Sequence, residues 1–496
     1  MNRTTTYIIV FILYIAACLA IPAWIKRHEE KKNREGFLLG DRNIGPWPIA
    51  FSFVATLVSS SLFMGSGPKI YQQGWSFAIY GMMFMTIGVI LSWAIYAKPL
   101  SRLTDKLGAL TITDLLSYRY NSKGIKTVTS LATIIIYIPL MGSQLVAAGK
   151  LFQAAFDLPY WAGIVLVGTV LTIATALGGF KSVVYSDFFQ GIIMYGIFLV
   201  LVPVLLVKAG GLSAVNTVIA SETPEMFAAV TAKFPPVMIL SWFVYLVIGL
   251  GLGQPSLLVR FLACKNDQVI KRAFPLAVTC HAFGCTGIAL IMTTASVLYP
   301  GITDRETVFP TIVGEALPPV LGGLALCAVF ACMMSTVDSQ LLVASSCFSE
   351  DIYKGYIKKN ATERQVYNAG VVSTVVIGIG GILTALYSGL GVLDLIILAE
   401  SCLIPIYLFS VCGCTHFKRL NATGVLSGMV TGAITAFVWE LKFGWELCVP
   451  VFPAVIVCMV VTFVVSYLSK APDPVVIKTF FGNGTKEELV EYNSRH

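Results

Sequence analysis

Long apolar stretches recur from one end of the chain to the other, divided by short polar segments that carry most of the Lys and Arg. A helix needs about 20 predominantly apolar residues to cross the hydrocarbon of a bilayer. Thirteen segments reach that length, roughly 7–25, 46–72, 76–97, 126–156, 160–177, 184–208, 236–255, 273–299, 318–348, 367–386, 390–411, 421–440 and 444–468. No soluble block interrupts them. The pattern predicts an all-α membrane protein of about 13 transmembrane helices.

The basic residues orient these segments, because Lys and Arg concentrate in cytoplasmic loops. With the N-terminus outside, the inside loops 26–45, 98–126, 178–183, 256–272, 349–366 and 412–420 and the tail after 468 hold 27 of the 34 basic residues. Six fall outside (Arg3, Lys69, Lys208, Lys233, Arg305 and Lys442), and Lys150 lies near the outer end of a segment. One missed helix would scramble this alternation, so the N-terminus is expected outside and the C-terminus inside. The first run is followed, not preceded, by its dense basic cluster, the reverse of a cleavable signal. It is therefore read as a spanning helix.

Composition agrees with this reading and narrows the function. Apolar residues make up 56% and charged residues 12%, with a mean hydropathy of +0.81, too little charge to cover a soluble protein of this size. The net charge of +8 marks inner loops; no basic patch interleaved with aromatics points to nucleic acid, which is discarded as a partner. Twelve cysteines sit singly in apolar stretches and read as small buried hydrophobes, without a disulfide framework. Cys412, Cys414 and His416 lack the fourth ligand that a closed metal site needs. The four histidines offer no metal-spaced pair and no nucleophile–base–orienter set, so an enzyme is not expected. The implied partners are a small-molecule solute and the lipid bilayer, with no obligatory protein partner evident.

Two segments carry Gly and Pro where a helix should be smooth: Ser59-Ser60-Ser61 followed by Gly65-Ser66-Gly67-Pro68 in the second, and Gly249 through Gln254-Pro255 in the seventh. Breaks at membrane depth are tolerated where freed backbone groups line a cavity, and paired breaks in two repeats point to a transporter site. Segments two to six start from the inside and seven to eleven from the outside, each set opening with its interrupted helix. This predicts a five-plus-five inverted repeat. The division is 1–45 for the first helix and its loop, 46–208 and 209–411 for the repeats, 412–468 for two further helices, and 469–496 for a polar cytoplasmic tail.

Ionisable groups inside a membrane are costly and usually functional. Asp187 in segment six and Asp338 in segment nine fall at similar depth. Cys332, Ser335, Thr336 and Ser339 share one face of segment nine, with Asp338 at its border. Hydroxyls and carboxylates are hard ligands suited to a small hard cation, and carbonyls freed by the break in segment two would complete a Na⁺ shell. The alternative is that the hydroxyls bond back to carbonyls of their own helix or glue helices together. Glu400, mid-segment eleven, reads equally as a substrate or proton group and as a satisfied interhelical contact. Gln144 and Lys150 on segment four are weaker candidates.

Several motifs in order carry a family resemblance: Phe37 to Gly45, Thr113 to Tyr120, Gly178-Gly179-Phe180 with Asp187, Gly253-Gln254-Pro255 with Arg260-Phe261, and Met334-Ser335-Thr336 through Glu350 to Tyr353. Over nearly its whole length the chain resembles the sodium:solute symporters, the family of the proline, pantothenate and sialic acid transporters. The resemblance implies a broken-helix inverted-repeat fold. It also implies a main Na⁺ site formed by the carbonyls of Ala55, Val58 and Cys332 and the hydroxyls of Ser335 and Thr336. A second cation position found in some members would fall on Asp187, Ser335, Asp338 and Ser339; Asp338 stands where the family usually has a hydroxyl. Leu57, Val247 and Gly251 replace residues typical of the proline branch, whereas Pro318-Pro319 and Ala209 to Ser213 look more like the pantothenate branch.

The expected function is Na⁺-coupled symport of a small organic solute (a carboxylate, amino acid or vitamin-like acid) into the cell by alternating access. Na⁺ is the coupling ion, and the solute is expected near Leu57, Ser59, Gln144, Gln254 and Glu400. Rivals are a proton-coupled symporter of the same fold, using Asp187, Asp338 or Glu400, and a solute sensor, for which the tail is too short to hold an output domain.

Overall fold

The computed structural model describes residues 2–28, 34–232 and 234–495. Lys31, Lys32 and Lys233, all used to orient the segments, lie outside the described residues. Eleven helices among them are long and apolar enough to cross a membrane. Beside these stand one pair bent by 42°, Pro46–Leu57 and Leu62–Gln73, and one shorter apolar helix, Tyr160–Ala176.

Most ends follow local chemistry. Ser122, Asn266 and Asn421 cap helices by accepting backbone N–H groups of the first turn, and Thr362 with Gln365 forms a reciprocal capping box. Several helices run past the expected spans. Trp75–Leu107 continues to residue 107 because Leu100, Leu103 and Leu107 recur at helical spacing and bury one face, until Gly108 ends it at φ 64°. Pro319–Ile357 likewise extends into the expected inner loop.

The Pro319–Ile357 and Val392–Thr415 helices are the most enclosed spans. Helix Phe180–Lys208 packs on Pro46–Leu57 and on the Pro319–Ser346 stretch, and Lys123–Phe156 packs on Glu363–Tyr387 and Val392–Thr415. These neighbours place the first break, the hydroxyl face of segment nine and Glu400 around one centre. The first helix, Arg3–His28, joins the bundle through Phe11, whose ring lies 5.5 Å from Phe152 and 4.5 Å from Phe330.

Close approach of the last two spans depends on glycine. Gly424, Gly428 and Gly432, four residues apart, face Ser466, Thr462 and Cys458; a Cβ on Gly428 would lie 1.9 Å from the Thr462 hydroxyl. The tail is less solvated than its polarity suggests. Val476, Thr479 and Phe480 are buried, and Lys106 donates to the carbonyls of Thr479 at 2.6 Å and Gly482 at 2.9 Å. Lys150, near the outer end of its helix, pairs with Asp304 at 3.1 Å and Glu306 at 3.8 Å. Burial raises the Glu306 carboxyl above its usual range, opposed by the Val392 N–H and by Lys150.

Candidate functional site

The first break is local. Val58 leaves the helix at ψ 77°, and the Ser59 N–H bonds the Leu57 carbonyl at 3.0 Å. The chain resumes as Leu62 donates to the Ser59 carbonyl at 3.0 Å. The carbonyls freed here meet the hydroxyl face of Pro319–Ser346. Ser335 Oγ lies 2.8 Å from the Ala55 carbonyl and 3.1 Å from that of Cys332, and Thr336 Oγ1 donates to the Thr56 carbonyl at 3.2 Å. Of the five expected Na⁺ ligands, Ala55, Cys332 and Ser335 thus share contacts directly. Thr336 sits one residue along, and Val58 forms the turn itself. The donor set is all oxygen and fully enclosed, which suits a small hard cation.

The second break falls at Gln254, whose backbone is extended (φ −100°, ψ 106°) between Gly251–Gly253 and Pro255–Leu262. The expected breakers Gly249 to Gly253 stay helical, as do Gly65 to Pro68. They are contact glycines: a Cβ on Gly251 would lie 2.6 Å from the Gly88 carbonyl, and one on Gly67 would lie 2.7 Å from that of Leu62. Pro255 restarts the helix, as its missing N–H costs nothing in a first turn.

That restart carries Arg260 into the core, 1% exposed, where the basic count had placed it in an inner loop. Its guanidinium donates to Ser52 Oγ at 3.2 Å, to Thr56 Oγ1 at 2.8 Å, and to Ser339 Oγ and the Ser256 carbonyl, and it pairs with Asp187 at 3.4 Å. Ser52 also donates to Asp187 at 2.6 Å. Asp338 instead accepts from Thr175 Oγ1. The four residues expected to hold a second cation have different partners: Asp187 and Ser339 share Arg260, Asp338 accepts from Thr175, and Ser335 contacts the first break, although Ser339 Oγ also donates to the Ser335 carbonyl at 2.8 Å. The sequence signal for the role of Arg260 is a lone Arg inside an apolar run.

Between the breaks lies a cavity whose wall includes Leu57, Ser59, Gln144, Gln254 and Glu400, together with Thr336. Glu400 Oε1 accepts from Gln254 Nε2 at 3.1 Å and its Oε2 from the Tyr245 hydroxyl. Gln144 Oε1 accepts the Ser60 N–H at 3.0 Å, and the Tyr137 hydroxyl accepts the Ser256 N–H at 3.2 Å. Helix Lys123–Phe156 thus satisfies one backbone N–H at each break, from side chains seven residues apart and on one face. Lys150 does not reach this wall. Tyr137, Trp242, Tyr245 and Gln340 were not anticipated. Cys412 contacts the Tyr96 hydroxyl at 2.9 Å and Cys414 donates to the Ser410 carbonyl at 3.5 Å, each with a protein partner of its own.

Two unwound stretches flanking a cavity that holds Gln144, Gln254 and Glu400, with an oxygen cluster at one of them, define a cation-coupled secondary transporter of the broken-helix kind. The chain matches the model of the sodium:solute symporter family over residues 37–432, and it belongs to that family. It is 30% identical to the sodium/proline symporters of Staphylococcus aureus strains JH9 and JH1, the match covering 94% of this chain and 93% of each relative. Among solved structures it is similar to a Na⁺-coupled sialic acid symporter in a substrate-bound outward-open state, with a TM-score of 0.80 and 20% identity, covering 94% of this chain and 99% of that one. A nucleobase-cation-symport-1 family transporter in a closed conformation with bromovinylhydantoin bound follows, with a TM-score of 0.57, 13% identity, and 92% and 99% coverage. The protein is a multi-pass cell-membrane transporter, and Na⁺ is its coupling ion.

Proposed function

We propose that the protein imports a small organic solute together with Na⁺ by alternating access. It would do so through thirteen spans arranged as a five-plus-five inverted repeat, with the N-terminus outside and the C-terminus inside. Na⁺ binds where Pro46–Leu57 ends, held by the carbonyls of Ala55, Val58 and Cys332 and the hydroxyls of Ser335 and Thr336. The observation that carries this is the 2.8 Å contact of Ser335 Oγ with the Ala55 carbonyl across the break. A cation there replaces hydroxyl-to-carbonyl bonds with bonds from its own charge to both oxygens, tying the broken helix to Pro319–Ser346. The solute occupies the cavity beside it, against Leu57, Ser59, Gln144, Gln254 and Glu400. Thr336, on both the cavity wall and the ion cluster, links the two ligands. Na⁺ drives uptake only through unequal affinity for the outward and inward states.

A second cation at Asp187 and Ser339 would compete with the Arg260 guanidinium, which already supplies a positive charge to both, whereas Asp338 has Thr175 as its partner. The test of the main site is uptake into proteoliposomes under an imposed Na⁺ gradient, with a K⁺ gradient as control. Uptake is expected only with Na⁺, and Ser335→Ala or Thr336→Ala should lower it sharply. Full uptake without Na⁺ in the unmodified protein, driven instead by a proton gradient, would overturn the proposal.

A further inference from the structure

The solute cavity is one-sided in charge. Among the described residues of its wall only Glu400 ionises; no Lys, Arg or His reaches it. Glu400 is 8% exposed, and both of its oxygens accept hydrogen bonds from the protein. A carboxylate offers about four acceptor sites and the protein fills two of them. Gln254 turns its amide N–H group toward Glu400, which leaves its own carbonyl oxygen without a partner, and the Gln340 carbonyl oxygen is likewise unpartnered. Both glutamines are more than nine-tenths buried on the same wall. Tyr245 has committed its proton to Glu400 and retains only acceptor capacity. Trp242 and Tyr245 pack with ring centroids 5.7 Å apart on this side of the cavity, a surface that attracts organic cations through its π-electrons; the buried Trp242 N–H is also unpartnered and can serve an acceptor elsewhere on the same solute, such as the carboxylate of an amino acid.

Such a wall recognises a donor-rich, positively charged group. Resting on the transport reading above, we infer that the transported solute carries a cationic nitrogen with N–H donors, seated against Glu400 and the carbonyl oxygens of Gln254 and Gln340. The class is therefore an amino acid or another small ammonium compound, and not a nitrogen-free carboxylate. An anion without such a nitrogen would bring like charge against a buried carboxylate and leave the Gln254 and Gln340 carbonyl oxygens unpaired, two separate penalties against binding.

Solute pairs differing only in nitrogen against oxygen test this: alanine with lactate, proline with tetrahydrofuran-2-carboxylate, and 1,4-diaminobutane with 1,4-butanediol. The full chain in lipid nanodiscs is followed by thermal unfolding in NaCl and in KCl. The nitrogen member of at least one pair should stabilise the protein in NaCl, with its oxygen partner at least tenfold weaker. Glu400→Gln should weaken that nitrogen compound at least tenfold while leaving the stabilisation by Na⁺ alone unchanged. An oxygen member binding as well as its partner, no nitrogen member binding, or full affinity in Glu400→Gln would each overturn the inference. So would a Glu400→Gln variant that loses Na⁺ stabilisation, because the carboxylate would then be serving the ion. Failure of the underlying transport reading is distinct, since it removes the Na⁺ effect from the unmodified protein before any solute is added. If Glu400→Gln does not fold, the paired comparison on the unmodified chain still decides.

Discussion

The two helix breaks are satisfied by opposite kinds of chemistry. At Val58–Ser59 the freed carbonyls accept from the neutral hydroxyls of Ser335 and Thr336. A hydroxyl has one rotatable proton and lone pairs to spare, so a cation can replace the bond by drawing both oxygens to itself. Beyond Gln254 the restarted helix carries Arg260, a permanent charge that does not deprotonate. Its donors are spent on Ser52, Thr56, Ser256, Ser339 and Asp187. On the proposed reading, the first break exchanges its cation in every cycle, whereas the second holds one for the life of the fold. The difference lies in the partner each break was given, since both are interruptions of one or two residues flanked by helix.

The largest effect should come from removing the fixed charge. Arg260→Met leaves Asp187 buried without its cation, and Asp187→Asn leaves Arg260 without its anion; each should cost about 3–5 kcal/mol. The double variant, which buries no charge, should recover most of that loss. Unfolding in detergent by denaturant titration measures all three. Equal losses in the double and single variants would show that packing, and not the ion pair, sets the stability of this region.

Removing the exchangeable side comes next. Ser335→Ala deletes the oxygen shared by Ala55 and Cys332, and it should raise the half-saturating Na⁺ concentration about ten- to hundredfold, roughly 1.4–2.8 kcal/mol. Ser335→Thr, which keeps the hydroxyl, should restore much of the affinity. Intrinsic tryptophan fluorescence during Na⁺ titration reads both. A Na⁺ response that survives Ser335→Ala unchanged would erase the contrast between the breaks.

Much of this arrangement was legible in the chain. Apolar run length located the spans because lipid imposes a minimum length on any helix that crosses it, and the i, i+3, i+4 spacing of Cys332, Ser335 and Thr336 placed one cluster on one face. The breaks were legible only approximately. Glycine signalled them, yet Gly65, Gly67, Gly249 and Gly251 remain helical, and their small size serves contact rather than unusual backbone angles. Arg260 was misplaced because counting Lys and Arg cannot distinguish a charge in water from one whose partners come from three other helices. Those partners, Asp187, Ser52 and Ser339, are 73, 208 and 79 residues away. Tyr137 was missed for a related reason: an aromatic residue in an apolar run looks like lipid-facing or core surface until its hydroxyl is seen to meet a broken backbone.

The smallest effects should come from the helix that serves both breaks. Tyr137→Phe removes one acceptor and leaves the Ser256 N–H unpaired in the core, a loss of about 1 kcal/mol. Gln144→Leu removes the acceptor of the Ser60 N–H at a similar cost, but it also changes the cavity wall. The two should therefore separate by assay. Both lower the unfolding temperature in detergent by comparable amounts, while only Gln144→Leu raises the solute concentration needed for half-maximal uptake. The residues lie two turns apart and touch different breaks, so their stability losses should add to within about 0.5 kcal/mol. A double variant less stable than that sum would mean that the two breaks move together through Lys123–Phe156, coupling the exchangeable cation to the fixed one.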